Sequence, residues 1–174
     1  MTTLQEGELR FTFPDDWRVE PFDIRGREGF PPLKVKPVDF VVERAHDILL
    51  IEVKDPSNSG TPSDERVRFV KKMTTKSLTY DELVPKARTT WSVLHLMGRT
   101  DKPLRFIVAI GVEALAIEPP LFLQLTDRLK KRLEKEIDVP WVRPYVADAF
   151  VVDALELDRH FPGIKVTRDP AVAR

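Results

Sequence analysis

The sequence predicts an α/β fold, a mixed β-sheet flanked by helices, and three observations carry that reading. Two apolar runs, over 38–43 and 48–54, flank the polar break Arg44-Ala45-His46-Asp47 and predict a β-hairpin. Apolar residues at Leu83, Ala87, Trp91, Leu94 and Met97, and again at Leu121, Leu125, Leu129 and Leu133, recur at the three-to-four spacing of a helix with one buried face. Compact apolar stretches over 104–110 and 149–152 read as buried strands. The order hairpin, helix, strand, helix, strand is the alternation from which a mixed sheet with packed helices is built.

At the N-terminus, Leu9, Phe11 and Phe13 alternate with polar residues. The pattern breaks at Pro14-Asp15-Asp16 and resumes at Trp17 and Val19, which predicts a short strand pair. Residues 25–37 hold glycines, prolines and charges without period and read as loop. A second, longer loop is expected over about 55–78, where proline, serine, asparagine and glycine give way to a basic run. In the helix that follows, Thr79 and Glu82 stand as a capping box, Pro85 bends or restarts the helix, and Gly98 closes it. Pro119 and Pro120 suit the entry of the next helix, whose outer face carries Lys130, Lys131, Arg132 and Lys135. The 174 residues are expected to form a single domain, without internal repeats.

Composition narrows function mainly by exclusion. Lysine plus arginine and aspartate plus glutamate each number 28, so no global field draws the chain to polyanions, and any nucleic-acid surface must arise from local segregation of charge. With no cysteine there are no disulfides, thiolate zinc sites or cysteine nucleophiles. No apolar run has the length of a bilayer span and Met1–Glu8 lacks the blocks of a signal peptide, so the cytoplasm is the expected compartment and no membrane partner is expected. Glycine-rich phosphate loops and the Gly-x-Ser-x-Gly elbow are absent, and His46, His95 and His160 are too scattered for a zinc site. Trp17, Trp91 and Trp141 read as packing residues rather than base-stacking platforms.

Chemistry enters through the hairpin register. If the chain turns symmetrically about Ala45 and His46, then Glu43 opposes Ile48, Val41 opposes Leu50 and Asp39 opposes Glu52. Side chains alternate faces, so Lys54 shares a face with Glu52 and Asp39. Like charges directly opposed on a sheet are destabilising, and a divalent cation compensates them. Magnesium, with manganese as substitute, takes oxygen ligands from one or two carboxylates and a substrate phosphate. Lys54 is placed to act on the attacking water or to stabilise charge on the phosphate.

Pro37-Val38-Asp39, followed after twelve residues by Glu52-Val53-Lys54 at the end of an apolar strand, resembles the motif of the PD-(D/E)XK nuclease superfamily. That resemblance implies a restriction-endonuclease-like fold and hydrolysis of nucleic-acid phosphodiesters, with DNA favoured. Asp39, Glu52 and the Val53 carbonyl would ligate the metal, and Lys54 would serve catalysis. The chain departs from the pattern in two places: Val38 separates the proline from the aspartate, and no N-terminal helix bearing a further glutamate is recognisable. Glu6, Glu8 and Glu20 are stand-ins for that glutamate, Glu20 first because it lies in a patterned segment. Helices after the motif often add a polar residue in this superfamily, and Lys86 is the candidate here, off the apolar stripe together with Arg88, Ser92 and His95. Arg66, Arg68, Lys71 and Lys72 are candidate contacts to the phosphate backbone, on a flap where substrate would pass. A homodimer or a protein partner fits the same reading. The alternative is a catalytically silent nuclease-like scaffold or interaction subunit of a larger nucleic-acid-processing assembly.

Overall fold

The central hairpin pairs in the register that its apolar pattern dictates. Strand β4 (Phe40–Glu43) runs antiparallel to β5 (Ile48–Lys54), with Phe40 opposite Ile51, Val41 opposite Leu50 and Glu43 opposite Ile48. Residues 1–23, 36–134 and 144–169 are described by the computed structural model of the protein. Of the residues named above, 25–35, Lys135 and Trp141 lie outside them.

Around this hairpin a five-stranded mixed sheet is ordered β3-β4-β5-β6-β7, with β3 at Arg18–Pro21, β6 at Leu104–Ile110 and β7 at Asp148–Asp153. β3 and β4 pair antiparallel, whereas β5, β6 and β7 run parallel. Parallel neighbours need crossovers, and the intervening helices supply them. These are α1 (Ser63–Thr74), α2 (Val84–Leu96) and α3 (Pro119–Glu134). Val41, Ile48, Leu50, Phe106 and Val108 of the sheet are buried with Leu83, Ala87 and Leu94 of the α2 region and Leu125, Leu129 and Leu133 of α3. The expected helix stripes are therefore found against the sheet, except for Met97, which follows the end of α2 and is exposed.

The opposite face has a different cover. Strands β1 (Thr2–Glu6), β2 (Leu9–Phe13) and β8 (Lys165–Arg168) form a separate antiparallel sheet in the order β1-β2-β8. Leu9, Phe11 and Phe13 pack on Phe40, Val42, Leu49, Ile51 and Val53, together with Leu157 of the short helix α4 (Leu157–His160). The expectation that 9–13 and 17–19 pair with each other is thus corrected. After Pro14 the chain turns, with the Trp17 N–H donating to the Pro14 carbonyl at 3.3 Å, and crosses from one sheet to the other. β1 has too exposed a pattern to be read from the sequence; its turn into β2 needs Gly7, at φ 59°.

The expected loop over 55–78 is corrected as well, because most of it is α1. Asp64 and Glu65 occupy the first turn and Lys71 and Lys72 the last, which complements the helix dipole. Met73 is the one buried residue of this helix, so no apolar stripe marks it in the sequence. No helix among the described residues is long and apolar enough to cross a membrane.

Candidate functional site

Glu52 is the third residue from the end of β5, where the alternation of faces turns it toward the helices along with Leu50 and Lys54. It is 1% exposed, a carboxylate at the end of an apolar run. Asp39 precedes β4 in a bend, and its Oδ2 accepts the Val53 N–H at 2.6 Å. The aspartate thereby continues the ladder past the end of β4. In extended backbone a residue's N–H and carbonyl share an edge, so the Val53 carbonyl is also turned toward Asp39.

Two helical residues one turn apart fix this arrangement. The Thr90 hydroxyl of α2 accepts the Val38 N–H at 2.9 Å and donates to the Lys86 carbonyl at 2.8 Å. Lys86 Nζ lies 2.6 and 2.7 Å from the two Glu52 oxygens and 3.8 Å from Asp39 Oδ1. Lys54 Nζ is 3.1 Å from Glu52 Oε1 and 3.2 Å from Glu82 Oε2, and Lys72 of α1 donates to Glu82 Oε1 at 2.7 Å.

Glu82 belongs to a π-helical segment, Leu78–Leu83, that runs directly into α2. Pro85 has no N–H to give to the helix ladder, and just before it the Val84 N–H bonds the Thr79 carbonyl five residues back. The restart at Pro85 expected from the sequence takes this form. The capping box does not form, since the backbone is already helical at Ser77 and Thr79 is buried inside the segment.

Burial, reinforced by the neighbouring Asp39 charge, pushes the Glu52 carboxyl up to about 7 against the opposing pull of Lys54 and Lys86. Burial also favours loss of the Lys54 proton, but the Glu52 and Glu82 carboxylates outweigh it and hold this ammonium above its usual range. For Glu82, burial is outweighed by Lys72 and Lys54, which hold its carboxyl below the usual range. Lys54 is therefore a fixed cation, suited to stabilising a developing negative charge and poorly suited to removing a proton.

The oxygen set fits a hard divalent cation. Asp39 Oδ1 is left over from the Val53 bond, Glu52 Oε1 makes ion-pair contacts without a hydrogen bond, and the Val53 carbonyl shares their edge. Among the described residues no three His, Cys, Asp or Glu side chains gather into a metal-holding group, so protein would supply only part of an octahedron. A cleft of about 380 Å³ opens beside Lys54, lined in part by Thr61, Glu65, Arg68, Phe69 and Lys72. A wider hollow of about 580 Å³ lies at the hairpin tip, around Trp17, Arg44 and His46, and holds none of the site residues.

Asp39, Glu52, Lys54 and Lys86 thus converge, with Val53 bound through its N–H. Glu20 does not join them. Its carboxylate pairs with Arg99 beside Glu43, because Glu20 sits opposite Val41 in β3 on the side of the hairpin tip. The basic residues lie on α1 and not on a flap. Arg66 donates to the Pro56 and Asn58 carbonyls at 3.2 and 3.1 Å, Arg68 pairs with Asp64, and Lys71 is exposed. Lys72 alone of the four reaches the site, through Glu82. The sequence reading gave Glu82 only a capping role and did not single out Thr90, although both lie four residues from Lys86, the spacing of one helix face.

The strand end itself is clamped from behind. Arg168 of β8 forks onto Asp55, next to Lys54, at 2.8 and 3.0 Å, and onto Glu113 at 2.9 and 3.0 Å. Gly111 admits this fork, since a Cβ there would lie 2.5 Å from Asp55 Oδ1 and 2.7 Å from Arg168 Nη2.

Comparison of the chain with protein-family models, with curated proteins and with solved structures gives no match.

Proposed function

We propose that this chain is a divalent-metal-dependent nuclease that hydrolyses phosphodiester bonds, with DNA as the favoured substrate. One observation carries the proposal: two carboxylates and two lysines from three segments, the approach to β4, β5 and α2, converge at the end of β5, with Glu52 1% and Asp39 8% exposed. So many buried ionisable groups are expensive to assemble, which points to chemistry rather than to stability. A mixed sheet with the acidic hairpin in its middle and helices over the site supports a restriction-endonuclease-like, PD-(D/E)XK reading of the fold.

Asp39, Glu52 and the Val53 carbonyl would hold magnesium or manganese. Such an ion, when bound, polarises a phosphate oxygen and makes its water more acidic. Lys54 then lies beside the phosphate and offsets the charge that accumulates on its oxygens. Lys86 binds Glu52 from the other side and orients it. The Thr90 hydroxyl sets the position of Asp39 through Val38.

A second reading draws on Lys86 itself. Its ammonium contacts both carboxylates and supplies a resident countercharge, as a catalytically silent scaffold or interaction subunit would require. Incubation of the protein with linear, circular and single-stranded DNA and with RNA, in magnesium or manganese against chelator, separates the two. Metal-dependent cleavage that is lost in Asp39→Asn and Lys54→Ala supports the nuclease. Absence of both cleavage and any metal-induced rise in melting temperature supports the scaffold.

A further inference from the structure

Among the described residues, Glu82 is the one acidic residue that touches both a lysine of the site and a lysine of α1. Its two oxygens are divided between them, Oε2 at 3.2 Å from Lys54 and Oε1 at 2.7 Å from Lys72. Two ammonium groups converging on separate oxygens of one anion is the geometry in which lysines grip a phosphate. The pair is not deeply enclosed: the side chains of Lys54, Glu82 and Lys72 are 21%, 29% and 50% exposed. Both lysines line the 380 Å³ cleft. Arg68 lies along that cleft too, while Glu65 and the Arg168-bound Asp55 add negative charge to its wall.

We infer that Lys54 and Lys72 form a phosphoryl-binding site which Glu82 occupies as a built-in anion, yielding the two lysines when a phosphodiester enters the cleft. This deepens the nuclease reading and rests on it for the identity of the ligand. The π-helical segment is what makes the arrangement workable. Glu82 lies in the turn before Pro85, where the ladder takes the five-residue spacing of a π-helix and Pro85 brings no N–H to it. Lys54, by contrast, is held on a buried strand with Asp55 clamped by Arg168, so the carboxylate is the partner able to move. The like-charge wall formed by Glu65 and Asp55 keeps the cleft from being a general sink for anions and leaves phosphate recognition to the lysine pair.

The test is equilibrium binding of fluorescent duplex and single-stranded oligonucleotides in chelator, so that cleavage plays no part. It compares the wild type with Glu82→Gln, Lys72→Gln and the double variant. Removal of the Glu82 charge frees two lysines of a partly exposed pair, and binding is expected to tighten about fivefold at low salt. The slope of log affinity against log salt should steepen by about one to two, and Lys72→Gln in that background should return about one of them. Inorganic phosphate provides the second arm. If phosphate raises the melting temperature of Glu82→Gln while oligonucleotide binding is unchanged, the site serves small phosphorylated molecules and not strands.

No gain with either probe, in a Glu82→Gln protein with wild-type circular dichroism, overturns the inference. Cleavage by the wild type combined with that result removes the inference and leaves the nuclease reading standing. A gain in a protein that never cuts does the reverse.

Discussion

Asp39 Oδ2 accepts the Val53 N–H at 2.6 Å, so the first carboxylate of the site is also the last rung of the β4–β5 ladder. The two roles separate under substitution. Asp39→Ala leaves a buried N–H without an acceptor, a cost of about 1–3 kcal/mol, partly offset by relief of the repulsion with Glu52. Asp39→Asn keeps an acceptor and removes the charge. Chemical denaturation should therefore find Asn close to wild type and Ala clearly weaker, while a cleavage assay finds both inactive. Full activity in Asp39→Asn would sink the metal-ligand role.

Lys86 tests which of the two functional readings holds. Replacement by Met keeps the apolar stem but leaves Glu52 with one ammonium in a buried position, and loss of one partner of such a pair costs about 3–5 kcal/mol. Glu52→Gln in the same chain should recover much of that loss, which a double-mutant cycle measures directly. Manganese at about 10 mM should then raise the melting temperature more in Lys86→Met than in the wild type, since a bound cation replaces the lost countercharge. An equal or absent shift favours the silent scaffold.

The hairpin, the two amphipathic helices, the strands β6 and β7 and the approach of Asp39 to Glu52 were legible because each is written in a short stretch, as an apolar run, a hairpin register or a period of about 3.6. The site residues Asp39, Glu52 and Lys54 follow from register alone. What escaped depends on contacts distant in sequence or on polar surface. α1 buries only Met73, β1 is half exposed, and β8 meets β2 across nearly the whole chain. Glu20 was drawn into the candidate set by its patterned strand, yet Arg99, which no local pattern connects to it, claims its carboxylate. Lys86 was recognisable as off the apolar stripe, but its contact with Glu52 rests on the crossover that lays α2 over β5.

Stability of the metal-free protein should carry the signature of Glu52. Its carboxyl is pushed from 4.5 up to about 7 by burial and then by Asp39, so between those values the native state holds a proton that the unfolded chain has released. Stability from this group is complete below about pH 4.5 and falls as pH rises toward 7. The loss is on the order of 3 kcal/mol at most. Urea titrations across that range in chelator should show a decline that Glu52→Gln flattens; an equal decline in the variant assigns it to other groups.

Thr90 offers a test of positioning without touching charge. Its hydroxyl accepts the Val38 N–H and donates to the Lys86 carbonyl, so it ties the segment that carries Asp39 to the helix that carries Lys86. Thr90→Val is close in shape but has no acceptor, which leaves the Val38 N–H unpaired in a fully buried place, at about 1–3 kcal/mol. If the tie also sets the distance between Asp39 and Glu52, Thr90→Val should lower kcat for metal-dependent cleavage by about tenfold or more and raise the metal concentration for half-maximal rate. Thr90→Ser retains the hydroxyl and should restore both. A destabilised Thr90→Val whose metal dependence and kcat match the wild type would confine Thr90 to holding the fold together.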